Sequence, residues 1–135
     1  MHICIMRKLA KILLLFRPGS SVAETFKEIF EFENLYHVTM MDNPILLLKN
    51  LKENPSQYDV IFLEVRMPIM DGVETLERLK AMNINTPILI TSFHMHDKQG
   101  KKLEKKGAFK YVSSPCDLME LLSTVKEAVA ANKVS

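Results

Sequence analysis

Glu64 is the residue of this chain best placed to do chemistry. It stands directly after Val60-Ile61-Phe62-Leu63. That run is short, rich in β-branched and aromatic residues and unbroken by polar ones, as in a strand buried on both faces. Open α/β sheets carry their reacting groups at the carboxyl ends of such strands. The other reactive side chains are sparse. His94 and His96 share one loop, and two imidazoles without a third ligand read as solvent-exposed rather than as a metal pair. Cys4 and Cys116 are far apart and have no metal-type spacing. They read as free thiols of a reducing compartment, with a disulfide as the alternative. Cys116 fits a small buried hydrophobe better than a reactive thiol.

The elements that must position Glu64 follow from periodicity. After the acid comes a loop, Val65–Met70, and then Asp71-Gly72 with Glu74 three residues beyond Asp71, so Asp71 caps a helix. Val73, Leu76, Leu79 and Met82 form the apolar stripe of that helix. Earlier in the chain, Lys11–Phe16 is a second apolar run and a candidate central strand. Ser21 with Glu24 reads as a capping box, and Val22, Phe26, Ile29 and Phe30 recur at helical spacing to about Glu33. Tyr36–Met41 is a short strand, and Asn43-Pro44 opens a helix over Ile45–Lys52. Later, Ile88–Thr91 and Ala108–Val112 read as strands, with Ser92–Asp97 a loop and Ser113–Pro115 a turn. Lys98–Lys106 reads as a weak helix, interrupted by Gly100 and anchored by Leu103 alone. Asp117 with Glu120 caps a last helix, which runs to about Asn132. Five strands alternating with five helices through short connections imply right-handed βαβ units and a parallel sheet.

The 135 residues suit one domain, and 47% hydrophobic residues argue against disorder. A net charge of +2 does not by itself point to nucleic acid or an anionic membrane. The basic start of the chain precedes an apolar stretch, Ile12–Phe16, that is too short for a signal peptide or a span and is closed by Arg17. The expectation is a cytoplasmic domain over 11–132, with an N-terminal extension over 1–10 and a tail over 133–135. The basic run Lys98, Lys101, Lys102, Lys105, Lys106 and Lys110 is offset locally only by Asp97 and Glu104. It reads either as a solvated face or as a docking surface for an acidic protein partner.

The stretch Tyr58–Gly72, with Met67-Pro68-Ile69-Met70-Asp71-Gly72 after the strand-end acid, resembles the response-regulator receiver domain of two-component signalling. The resemblance covers about Lys11 to Asn132. It implies a flavodoxin-like, doubly wound five-stranded sheet of order 2-1-3-4-5. It also implies a phosphorylation site, made by an acidic pair after the first strand, an Asp acceptor after the third, a hydroxyl after the fourth and a Lys before Pro after the fifth. Phosphoryl transfer to a carboxylate needs a divalent cation on the transferring oxygens and a cation for the product. Carried over by position, the acid pair falls on Phe16 and Arg17, and Ile12–Ser21 contains no acid at all. The acceptor position is Glu64, the hydroxyl Ser92 and the aromatic switch position Tyr111. The Lys position is Ser114, and Pro115 follows it with an expected cis bond.

Glu in place of Asp moves the carboxylate by about 1.5 Å, and a misplacement of about 1 Å can cost a positioned reaction a hundredfold. The expectation is a receiver that keeps the fold, binds no Mg²⁺, is not an enzyme and works through protein contacts. The resemblance adds the last helix to the basic run as a contact surface, with a histidine kinase disfavoured as phosphodonor. Glu64 and Arg17 are expected to form an ion pair where the metal would sit, with Arg66 as fallback partner. Two alternatives stand beside this reading. One is a receiver that is phosphorylated on Glu64. The other is a flavodoxin-like enzyme or cofactor carrier, against which the first loop, Arg17-Pro18-Gly19-Ser20, offers no Gly-rich phosphate cradle.

Overall fold

The two apolar runs pair in parallel at the centre of the sheet. The computed structural model describes residues 9–93 and 96–134. Its strands are β1 (Lys11–Leu15), β2 (His37–Met41), β3 (Val60–Glu64), β4 (Ile88–Phe93) and β5 (Lys110–Ser114). They form one parallel sheet in the order β2-β1-β3-β4-β5. The helices are α1 (Ser21–Glu31), α2 (Pro44–Glu53), α3 (Gly72–Ala81), α4 (Asp97–Lys105) and α5 (Leu118–Val134), with a 3₁₀ turn at Phe32–Asn34. Because side chains alternate along a strand, the sheet buries two cores. Ile12, Leu14, Val60 and Phe62 pack under α1 and α5, whereas Leu13, Leu15, Ile61 and Leu63 pack under α2, α3 and α4.

Most caps sit where the sequence puts them. Asn43 Oδ1 accepts from the Ile45 N–H, Asp71 Oδ1 from the Glu74 N–H and Asp117 Oδ2 from the Glu120 N–H. The cap of α1 does not. Ser20, not Ser21, accepts from the Ala23 N–H at 3.1 Å. The face of α1 that meets the sheet carries Ala23, Phe26 and Phe30, with Val22 and Ile29 at the margin of the core. The end of α1 also differs, because Glu33 and Asn34 take positive φ in the turn that follows.

Two strands run further than their apolar residues. β4 continues through Ser92 and Phe93, and β5 covers Lys110–Ser114, so the serines expected in a turn are paired residues. Ser92 lies opposite Ser113 and Phe93 opposite Ser114. Backbone pairing continues past the last buried apolar side chain of each strand because the ladder needs only N–H and C=O groups. The bond Ser114–Pro115 is cis, as the resemblance implied.

Gly100 does not interrupt α4, which runs through it. It is buried, and a Cβ built on it would overlap the ring of Tyr111. The glycine is the slot in which that ring lies. Among the described residues, no helix is long and apolar enough to cross a membrane. Cys4 and His94 lie outside the described residues, so the His94–His96 pair does too. Most of the 1–10 extension is likewise outside them.

Candidate functional site

The carboxyl ends of β1 and β3 bring Phe16, Arg17 and Glu64 together. Leu15 stands beside Leu63 in the register, so Phe16 and Glu64 continue the same row. Phe16 is buried, in edge contact with Phe26 (5.8 Å between centroids) and tilted against Phe62 (6.0 Å). Phe26 and Phe62 in turn approach to 5.2 Å. Burial of these rings in mutual contact makes the floor of the site apolar and rigid.

Above that floor, the Arg17 backbone N–H donates to Glu64 Oε1 at 2.9 Å. This corrects the expected ion pair. Among the described residues, no salt bridge joins Glu64 to the guanidinium of Arg17 or Arg66. The reason is alternation. With Phe16 turned onto Phe62, the next side chain is directed away from the row that carries Glu64, and Arg17 is exposed. The main chain stays close, because the Phe16 N–H donates the other way, to the Met41 carbonyl at 3.1 Å.

The loop after β3 is closed on itself. The Gly72 N–H donates to the Val65 carbonyl at 2.8 Å and the Met70 N–H to the Pro68 carbonyl at 2.8 Å. The second bond skips only Ile69, which takes a φ of 74° and is 75% exposed. A β-branched residue there is strained. Gly72 is needed for close approach: a Cβ on it would run into the backbone carbonyl of Glu64. That contact ties the start of α3 to the strand end that carries the acid.

The remaining positions separate by face. Thr91 is buried, and its hydroxyl donates to the Val112 carbonyl, whereas Ser92 is half-buried on the opposite side and lines a groove beside α4. Ser114 is buried on the side of α1 and α5. Tyr111 lies on Gly100, its hydroxyl donates to Asp97 Oδ1, and its N–H donates to Glu104 Oε2 at 3.2 Å. The hydrogen bond to Asp97, partial burial and the nearby charges of Asp97, Glu104 and Glu120 push the Tyr111 phenol up to about 12. Burial first, and then the carboxylates of Glu120 and Asp117, raises the thiol of Cys116, a free cysteine.

Sequence reasoning missed three partners: the Arg17 main chain, Asp97 and Gly100. The last two left a signal. A glycine in the interior of a helix has no helix-forming reason to be there, and the acid three residues before it lies on the same face.

The same fold recurs among proteins of known class. The family model for the response regulator receiver domain matches residues 19–126. The chain belongs to the response regulator receiver family. The transcriptional regulatory protein ZraR of Klebsiella oxytoca is 31% identical over 100 residues, which is 74% of this chain and 22% of that protein. The chain thus spans about a fifth of that relative's length. The receiver domain of Francisella response regulator 1452 superposes with a TM-score of 0.79 at 29% identity, covering 90% of this chain and 98% of that one. A receiver domain protein from Clostridium thermocellum gives 0.81 at 24%, covering 93% and 98%. The flavodoxin-like receiver fold of two-component response regulators is therefore that of this chain, and the five strands and helices described above are its elements.

Proposed function

We propose that this receiver domain signals through protein contacts without an acyl phosphate at Glu64, and that it is not an enzyme. One observation carries the proposal: the position next to the acid is filled by the buried ring of Phe16, while one Glu64 oxygen already accepts the Arg17 N–H. Phosphoryl transfer to a carboxylate needs charge neutralisation at the transferring oxygens. Mg²⁺ demands near-octahedral oxygen ligands. Phe16 supplies no donor atom, Arg17 adds like charge, and among the described residues no three His, Cys, Asp or Glu side chains converge. The residues present do not fit the ion.

On this reading Phe16 and Arg17 replace the acid pair, Glu64 the acceptor and Ser114 the product-binding Lys, while Ser92 and Tyr111 keep the switch positions. The partner is a protein, met in the cytoplasm, and a histidine kinase is not its phosphodonor. The basic face around α4 favours an acidic partner. The test is labelling. Acetyl phosphate with Mg²⁺, or a panel of autophosphorylated histidine kinases, should leave the mass of the protein unchanged. An added phosphoryl group mapped to Glu64 would overturn the proposal.

A further inference from the structure

We infer that the groove between α3 and α4 is a docking site for an acidic peptide segment of a partner protein that carries large apolar side chains. The groove has a volume of about 500 Å³, within the range of sites that take a ligand or a few side chains. Its floor is apolar, formed by Val65, Val73 and Leu103, and its rim is cationic, formed by Arg66, Lys102 and Lys106. Ser92 forms part of the wall, and Phe93, 63% exposed, lies at the mouth.

The charge on α4 is segregated, and this decides the chemistry of the occupant. Both acids of the helix are used on the β5 side: Asp97 accepts from the Tyr111 hydroxyl and Glu104 from its N–H. They stand seven residues apart, on the same face as Gly100. Lys102 and Lys106, one turn apart, line the α3 side instead. Lys106 is paired with Glu77 of α3 at 3.0 Å and so bridges the groove at one end. Arg66 and Lys102 have no acidic partner among the described residues. Two unneutralised cations above an apolar floor match a segment that presents carboxylates at its edges and apolar side chains to the wall. A concave floor of branched side chains suits an inserted side chain better than a flat lipid surface. Among its described lining residues only Phe93 and His96 carry rings, too few to stack successive bases along its length.

The site touches the candidate functional site through the chain itself. Arg66 is two residues from Glu64, and Val65 accepts the N–H of Gly72 at the start of α3. The inference rests on the reading of the domain as a contact module that needs no phosphate. It goes beyond that reading by moving the contact from the outer lysine face to the α3–α4 groove and by requiring apolar residues in the partner.

The test uses the full 135-residue chain and a fluorescent helical peptide of about 12 residues, about 18 Å long, alternating Glu and Leu at helical spacing. An all-Glu peptide and a Lys/Leu peptide are the controls. The Glu/Leu peptide should bind, with amide shifts centred on Val73, Gln99 and Leu103. The all-Glu peptide should bind at least about tenfold more weakly, and the Lys/Leu peptide should not bind. Arg66→Glu with Lys102→Glu should weaken binding by about tenfold or more. Lys98→Glu with Lys101→Glu makes the same change in charge off the groove and should cost no more than about threefold.

Equal affinity for the two acidic peptides, equal losses in the two double variants, or tighter binding of oligo-dT or phosphatidylglycerol vesicles would each overturn the inference. An unchanged circular dichroism spectrum shows that each variant is folded, and shifts mapped in the parent protein test the groove without any variant. A beryllofluoride and Mg²⁺ arm separates the two readings. Peptide binding that appears only with beryllofluoride supports the groove and overturns phosphate independence. Absence of peptide binding in both arms overturns the groove and leaves the other reading to its labelling test.

Discussion

Replacing Gly100 by Ala sets two effects of opposite sign against each other. A helix interior gains about 1 kcal/mol when Gly becomes Ala, so propensity alone predicts a more stable protein. Packing predicts the reverse. The new Cβ would overlap the Tyr111 ring, and that residue is held twice, by Asp97 at the hydroxyl and by Glu104 at the main-chain N–H. Overpacking of a fixed group costs about 1–3 kcal/mol, and the tethers put this case at the upper end. The expected net loss is about 2 kcal/mol in urea denaturation. In a Tyr111→Ala background the obstruction is gone, and Gly100→Ala should then stabilise by about 1 kcal/mol. The cycle thus predicts a coupling of about 3 kcal/mol between two residues eleven apart in sequence. A Gly100→Ala protein at least as stable as its parent, with Tyr111 intact, would refute the slot.

Three further outcomes follow from the same contacts. Phe16→Ala should cost about 3–5 kcal/mol by opening the ring cluster with Phe26 and Phe62, as read by thermal or urea unfolding. Gly72→Ala should cost about 3 kcal/mol, because the group in the way is the Glu64 backbone carbonyl, which cannot swing aside; denaturant midpoints check this. Tyr111 should keep its proton until about pH 12, against an ordinary value of 10.0, so its contribution to stability is complete below about pH 10 and fades as pH rises toward 12. Ultraviolet titration should show an Asp97→Asn variant losing that proton earlier, and an unchanged curve would remove Asp97 as the cause.

The fold was legible where burial is uniform. β1 and β3 carry unbroken apolar runs because both faces are covered, and α2, α3 and α5 begin at Asn43, Asp71 and Asp117 as their side chains require. The ends of β4 and β5 were not legible, since Ser92, Phe93, Ser113 and Ser114 pair through the backbone and leave no side-chain pattern. Ser20 and Ser21 both suit a cap by residue type, and the choice depends on which backbone is extended, here that of Ser20, which no side-chain pattern records. At the site, Phe16, Arg17 and Glu64 were placed together from sequence. How Arg17 meets Glu64 was not, because the outcome depends on the direction of one side chain after a strand end. Gly100 reads as a helix breaker until the Tyr111 ring is placed on it.

The central claim concerns Glu64 and the groups that surround it. The most direct measurement is an amide NMR titration of the chain with Mg²⁺ followed by beryllofluoride, watching Arg17, Glu64, Val65 and Ser92. The Arg17 amide, bonded to Glu64 Oε1, reports any ion or adduct that takes that oxygen. Unchanged shifts at all four residues through millimolar Mg²⁺ and on addition of beryllofluoride are the predicted result. Saturable shifts centred on Arg17 and Glu64 would contradict it.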